Sequence, residues 1–134
     1  MTTLVPIDGS RSSEEAVRYA VRTQPGGDVL LLYIAPSGRE VDLERGRFFL
    51  EDGRKTCREL APGADIHTRL EVGDRCAKLA EVADEAHADL VVLGAHGVSG
   101  LPFVERYSTD AADLAGGIHR PVVMVLPSGR RLSD

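Results

Sequence analysis

ADLVVLGAHGVSG, residues 88–100, joins a fully apolar run to a glycine-rich loop. Residues 88–95 have the composition of a strand that is covered on both faces of its sheet. Gly94, Gly97 and Gly100 follow at a regular spacing, and glycines allow backbone amides to approach phosphate oxygens closely. Two glycines at this spacing occur in many loops and are weak evidence alone. The apolar strand before them and the helical pattern after them strengthen the prediction of a phosphate site.

Predicted strands and helices alternate along the rest of the chain. Apolar or alternating runs predict strands at residues 3–8, 28–34, 65–72, 88–95 and 121–126. Helical periodicity lies between them, at residues 10–24, 42–60, 75–87 and 108–118. Strands that alternate with helices indicate an α/β fold, in which a parallel sheet carries helices on both faces. Ligands of such sheets bind beyond the carboxyl ends of the strands, where the strand order reverses.

Several local signals refine these elements. Pro6 interrupts the first strand and favours a short or broken ladder there. Ser12 and Glu15 have the spacing of a capping box at the first helix. Gly46 and Gly53 weaken the second predicted helix. Residues 65–72 alternate with period two, which is typical of an edge strand with one wetter face.

Bulk properties exclude several classes of protein. The chain has 134 residues, of which 43% are hydrophobic and 4% aromatic, so we expect one domain with an aliphatic core. A net charge of −5 argues against nucleic acid as the main partner. No apolar run reaches the ~20 residues of a membrane span, and the N-terminus lacks the pattern of a secretory signal. We therefore expect a cytoplasmic protein without membrane contact.

The residues that carry chemistry do not form a catalytic or metal site. The four histidines lack ligand spacing, and His96 has no nucleophile or carboxylate at a recognisable distance along the chain. Cys57 and Cys76 do not make a disulfide framework, and Cys76 falls on the predicted core stripe of its helix. No Gly-Lys-Ser/Thr motif follows a strand. We expect no bound metal and no enzymatic activity. The hypothesis of a slow ATPase is the one that we favour least.

Four motifs in order resemble the universal stress protein family. They are VPIDGS at the first strand, LEVGD before the third helix, ADLVVLGAHGVSGL before the last helix, and RPVVMV at the last strand. The resemblance implies a Rossmann-like domain over residues 1–128, with a five-stranded parallel sheet of order 3-2-1-4-5. We expect residues 129–134 to form a frayed tail, as chain ends commonly do. The resemblance also implies a homodimer through the last strand, residues 121–126.

Many members of that family bind ATP through a pattern of Gly, two residues, Gly, nine residues, then Gly-Ser or Gly-Thr. Gly94 and Gly97 match its first half and Ser108 matches its end, but Tyr107 stands where the pattern has glycine. A tyrosine there hinders close approach of backbone amides and disfavours positive φ. Asp110 adds negative charge to the first turn of the predicted helix, where a phosphate would benefit from the dipole.

Carried over position by position, the resemblance implies nucleotide contacts at Pro6, Asp8, Ile34, Leu93, Gly94, Gly97, Ser108 and Thr109. Several have a simpler structural interpretation as well: Asp8 as a turn residue, Ile34 and Leu93 as core, Gly94 and Gly97 as turn glycines, and Ser108 as a helix cap. Two functions stay open. One is a stress-response regulatory or interaction module with a degenerate nucleotide site, and the other is a working ATP- or AMP-binding protein with an adenine nucleotide as its ligand.

Overall fold

A computed structural model describes residues 1–23, 26–94 and 118–125. Within them the chain alternates strands and helices: β1 Thr2–Pro6, α1 Arg11–Thr23, β2 Asp28–Ala35, α2 Glu40–Leu60, β3 Asp65–Val72, α3 Arg75–Glu85, β4 Leu90–Gly94 and β5 Val122–Val125. The strands form one parallel sheet of order β3-β2-β1-β4-β5, so the fold class and strand order are confirmed. Residues 108–117 of the fourth predicted helix lie outside the described residues.

Each face of the sheet has its own aliphatic core. On one face, α1 and α2 cover Val5, Leu31 and Val92. On the other, Leu79 and Val82 of α3 pack with side chains from the central strands. Strands β1, β2 and β4 are covered on both faces. This is why their sequences are apolar runs without alternation. The outer position of β3 confirms the edge strand that its alternation predicted.

The start of α1 differs from the predicted capping box. The side chain of Ser10, and not that of Ser12, accepts the helix-capping hydrogen bond, from the Ser13 amide at 3.2 Å. Gly9 has a φ of +83°, so the chain turns sharply after β1 and enters the helix earlier than the sequence spacing suggested. Ser12 is consequently a fully buried residue of the first helical turn.

Helix α2 runs unbroken through both of its glycines. A Cβ atom at Gly46 would lie 2.7 Å from the Leu70 and Tyr33 side chains, and one at Gly53 would lie 3.1 Å from Leu31. The glycines therefore allow the helix to approach β2 and β3 closely. Their cost in helix propensity is offset by packing, which a local pattern does not reveal.

Cys76 was predicted to face the core, and this prediction is wrong, because the residue is exposed. It lies in the first turn of α3, one turn before Leu79, the first residue of that helix to be buried. No residue of the first turn of α3 is buried. The helix also ends at Glu85, before the predicted residue 87, and His87 adopts a positive φ of 51°.

Candidate functional site

The carboxyl ends of β1 and β4 lie side by side at one edge of the sheet. The strands are parallel neighbours, with Thr3 opposite Leu90 and Leu4 opposite Val91. From β1 the chain proceeds to β2 on one side, and α3 later returns it to β4 on the other side. This reversal of strand order is the position where sheets of this class bind ligands. Asp8 and Gly94, predicted to share one crevice, are therefore found at the same edge.

Asp8 closes the turn that follows β1. Its Oδ1 accepts a hydrogen bond from the Ser10 amide at 2.9 Å, and its own amide donates to Ser13 Oγ at 3.4 Å. This is the turn role that short acidic side chains favour. No donor among the described residues reaches the second carboxylate oxygen, so the half-buried side chain retains an acceptor for a ligand hydroxyl or amine.

Gly94 is held against the first turn of α1. A Cβ atom there would lie 2.7 Å from the Ser12 carbonyl carbon and 2.7 Å from the Ser13 nitrogen. These are backbone atoms of a helix and cannot move aside. Gly94 is thus required by the packing of β4 on α1, whether or not the loop after it holds a phosphate.

The two apolar residues assigned to the nucleoside lie on the α3 face of the sheet. Ile34 is partly buried near the end of β2. Leu93 is only 1% exposed and belongs to the core that α3 covers. Pro6 is the last residue of β1 and is partly buried, and the ladder is not broken there, because the Ile7 amide donates to the Leu32 carbonyl at 2.8 Å. Ile34 and Pro6 are thus partly exposed near the carboxyl ends of their strands, whereas Leu93 lies in the core, and their assignment as ligand contacts stays a prediction.

The phosphate half of the predicted site falls outside the described residues. Gly97, Ser108 and Thr109 belong to it, as do Tyr107 and Asp110, whose effects on a phosphate were predicted from the sequence. The assignment of these positions therefore stays a prediction.

A small pocket that the sequence did not predict opens on the opposite face, between α1 and α2. Its volume is about 60 Å³, enough for a few water molecules but not for a nucleotide. Its lining combines an apolar floor with hydroxyl and carboxylate groups: Ile7, Gly9, Ser10, Ser13, Glu14, Val17, Phe49, Asp52, Gly53 and Thr56. Phe49 and Gly53 could be recognised in the sequence as helix residues, but not as neighbours of the turn after β1.

Phe49 also separates this pocket from the end of β2. Its ring lies over Gly9, where any side chain would collide with it, and it stacks on Tyr33 with ring centroids 6.2 Å apart. Burial raises the pKa of the Tyr33 phenol, while the positive charge of Arg45 acts in the opposite direction. Tyr33 therefore stays neutral and serves as a packing residue.

An ion-pair network ties β3 to α3. Arg69 pairs with Glu71 at 2.9 Å and with Glu85, and Lys78 pairs with Glu71 at 3.7 Å and with Glu81 at 3.4 Å. The hydrogen bond from Arg69 lowers the pKa of Glu71. Because every charge in this group has an opposite partner, we assign it a structural role.

Neither a metal site nor a membrane-spanning helix is found in the described parts of the chain. No group of three or more His, Cys, Asp or Glu residues there could hold a metal ion. None of the helices described is both long and apolar enough to cross a bilayer.

Comparison with known proteins extends these observations. The sequence profile of the Universal stress protein family matches residues 1–125. A curated universal stress protein of Methanocaldococcus jannaschii is 28% identical over 138 aligned positions, which cover 91% of this chain and 79% of that protein.

Two solved structures illustrate the likeness of fold. One is a universal stress protein in complex with cAMP, 25% identical, with a TM-score of 0.74 over 95% of this chain and 97% of the other. The second, from Archaeoglobus fulgidus in complex with dAMP, is 21% identical, with a TM-score of 0.71 over 92% and 96% of the two chains. Because the family profile spans nearly the whole sequence and the fold agrees, this chain belongs to the universal stress protein family.

Proposed function

We propose that the protein is a regulatory or interaction module of the stress response, with an adenine-nucleotide site that is degenerate in its phosphate half. The observation that carries the proposal is the contrast between Gly94 and Tyr107. Gly94 has a packing reason of its own against Ser12, so its presence is not evidence that a phosphate is bound. Tyr107 stands where the nucleotide-binding pattern has glycine.

The nucleoside half of the site supports a second candidate, a working nucleotide-binding protein. Asp8 retains an acceptor oxygen and Ile34 a partly exposed apolar side chain, both near the carboxyl ends of their strands, and these groups support the candidate. A relative at 25% identity was solved with cAMP, a nucleotide with a single phosphate. A site of this kind would favour a nucleoside monophosphate over a triphosphate, since it depends less on the loop that contains Tyr107.

Calorimetric titration with ATP, ADP and AMP in the presence of magnesium separates the two candidates. The degenerate site predicts weak or undetectable binding of ATP and a gain in ATP affinity in the Tyr107→Gly variant. Low-micromolar binding of ATP by the natural protein, with no gain in the glycine variant, would contradict it. Preferential binding of AMP would favour the second candidate, and Asp8→Asn should then weaken it.

The proposal includes a cytoplasmic homodimer that pairs through β5. This strand is uncharged, it lies at an outer position of the sheet, and three of its four residues are only partly buried. An apolar edge strand is prone to aggregate unless it is paired, and antiparallel pairing across a two-fold axis would cover it. Light scattering should give the mass of a dimer at micromolar concentration, and a monomer at high micromolar concentration would contradict this assembly.

A further inference from the structure

The side chain of Ser13 reaches back out of α1 to the turn that follows β1. Ser13 lies in the first turn of the helix and is only 4% exposed. Its hydroxyl donates a hydrogen bond to the Ser10 carbonyl at 3.1 Å and accepts one from the Asp8 amide at 3.4 Å. One buried side chain therefore holds both ends of the tripeptide 8–10.

The helix does not need these two hydrogen bonds for its cap. The capping group of α1 is the Ser10 side chain, which accepts from the Ser13 amide at 3.2 Å. The Ser10 carbonyl accepts the first helical hydrogen bond, from the Glu14 amide at 3.1 Å. The Ser13 hydroxyl uses the second lone pair of that carbonyl and provides an acceptor for the Asp8 amide, which lies outside the helix. The bridge consequently serves the turn.

The turn in turn holds the Asp8 carboxylate. The Ile7 amide still donates to the Leu32 carbonyl of β2 at 2.8 Å, so the chain leaves the sheet at Asp8. The Ser10 amide then donates to Asp8 Oδ1 at 2.9 Å. Because Ser13 holds the backbone of Ser10, and the Ser10 amide holds one oxygen of Asp8, Ser13 also influences where the second oxygen lies.

Packing against β4 keeps Ser13 in place. A Cβ atom built on Gly94 would lie 2.7 Å from the Ser13 nitrogen, so the end of β4 lies directly on the first turn of α1. Val17, one turn later in the helix, is 2% exposed and belongs to the core on this face of the sheet. Ser13 is thus a fixed support, which is what a preorganised binding group requires.

We propose that Ser13 is a positioning residue of the nucleoside half of the site, and that it acts through Asp8 on a ribose hydroxyl of an adenine nucleotide. The inference rests on the proposed function, because it requires that the second oxygen of Asp8 accepts a hydrogen bond from the ligand. Ser13 is buried and contacts no ligand itself. A carboxylate that is held in place before the ligand arrives loses less conformational freedom on binding, so loss of the bridge should weaken binding.

Nuclear magnetic resonance of the ligand-free protein tests the positioning by itself. Scalar couplings across χ1 of Asp8 should show one staggered rotamer in the natural protein and averaging over several rotamers in Ser13→Ala. Thr3→Val is the matched control. Thr3 is fully buried in β1, and its hydroxyl has no hydrogen-bond partner within the described parts of the chain, so its removal should leave the Asp8 couplings unchanged.

Titration with AMP and with 2′,3′-dideoxy-AMP, followed in the same spectra, tests the effect on a ligand. Ser13→Ala should weaken binding of AMP about three- to tenfold, the factor expected for one hydrogen bond, and should hardly change binding of the dideoxy analogue. In an Asp8→Asn background, Ser13→Ala should cost less than about twofold, because both changes act on the same carboxylate oxygen. Thr3→Val should leave both affinities unchanged.

A single Asp8 rotamer in Ser13→Ala would overturn the inference whether or not a nucleotide binds. Equal losses for the two ligands, or a loss that adds to that of Asp8→Asn, would assign Ser13 a merely structural role and would overturn the inference while the proposed function stands. A natural protein with one Asp8 rotamer that binds neither AMP nor adenosine would contradict the nucleoside half of the proposed function, and the role of Ser13 toward a ligand with it.

Discussion

Gly94, the last residue of β4, lies against the backbone of Ser12 in the first turn of α1. A methyl group on Gly94 would come within 2.7 Å of the Ser12 carbonyl carbon. The contact packs the end of β4 on the start of α1. It gives this glycine a structural function that is independent of any nucleotide.

The first prediction is that Gly94→Ala lowers the free energy of unfolding in the absence of ligand. Overpacking against a helix backbone should cost about 1–3 kcal/mol. Urea denaturation measures the change. Gly38→Ala is the control, because no atom lies within 4 Å of a Cβ placed there, and it should change stability by less than about 0.5 kcal/mol. A stable Gly94→Ala protein would show that the α1 contact adjusts more easily than we infer.

The second prediction concerns Gly46 in the interior of α2. Helix propensity alone would make Gly46→Ala stabilising by about 1 kcal/mol. We expect a net destabilisation of about 1–3 kcal/mol, because the new methyl group would lie 2.7 Å from Leu70 and Tyr33. Gly53→Ala, with 3.1 Å to Leu31, should cost less. Chemical denaturation of both variants tests the order, and a more stable Gly46→Ala variant would contradict it.

The third prediction is a pH dependence at the ion pairs between β3 and α3. Arg69 lowers the pKa of Glu71 below its ordinary value of 4.5. A lowered carboxyl pKa stabilises the folded state above the unfolded pKa, and this contribution is lost as the pH falls through the folded pKa.

Glu71→Gln should therefore lower the free energy of unfolding at pH 7, by about 1 kcal/mol or less because the pair is partly solvent-accessible. The difference from the natural protein should shrink as the pH falls below about 4.5. Urea midpoints at several pH values measure it. Glu59→Gln is the control, since Glu59 is exposed and has no salt bridge within the described residues. A difference that grows at acid pH would exclude this linkage.

The fourth prediction separates the two cysteines by their reactivity. Cys76 is exposed, whereas Cys57 is buried and its pKa is raised by burial to about 11. A thiol reagent at pH 8 should modify one cysteine in the folded protein and the second only after unfolding, because the thiolate is the reactive form. Mass spectrometry of the labelled peptides identifies the site. Labelling of Cys57 in the native protein would show that α2 opens from the sheet.

The local sequence was sufficient to predict much of the fold. Strands β1, β2 and β4 read as apolar runs because both of their faces are covered, and β3 alternates because it is an edge strand. The alternation of strands and helices defined the class, and the resemblance to the family supplied the strand order. Tyr107, the main argument about function, is also visible in the sequence alone.

Contacts between distant residues decided the rest. Gly46 was predicted to weaken α2, but it lets the helix approach Tyr33 and Leu70. Cys76 matched the core stripe of α3, yet it is exposed, because burial of that helix begins one turn later, at Leu79. Gly94 was predicted to contact a phosphate, and the structure shows it packed on the backbone of Ser12. Periodicity and capping patterns report what a residue does within its own element. Which atoms stand opposite it depends on the packing of elements that lie far apart in the chain, and only the tertiary structure determines that.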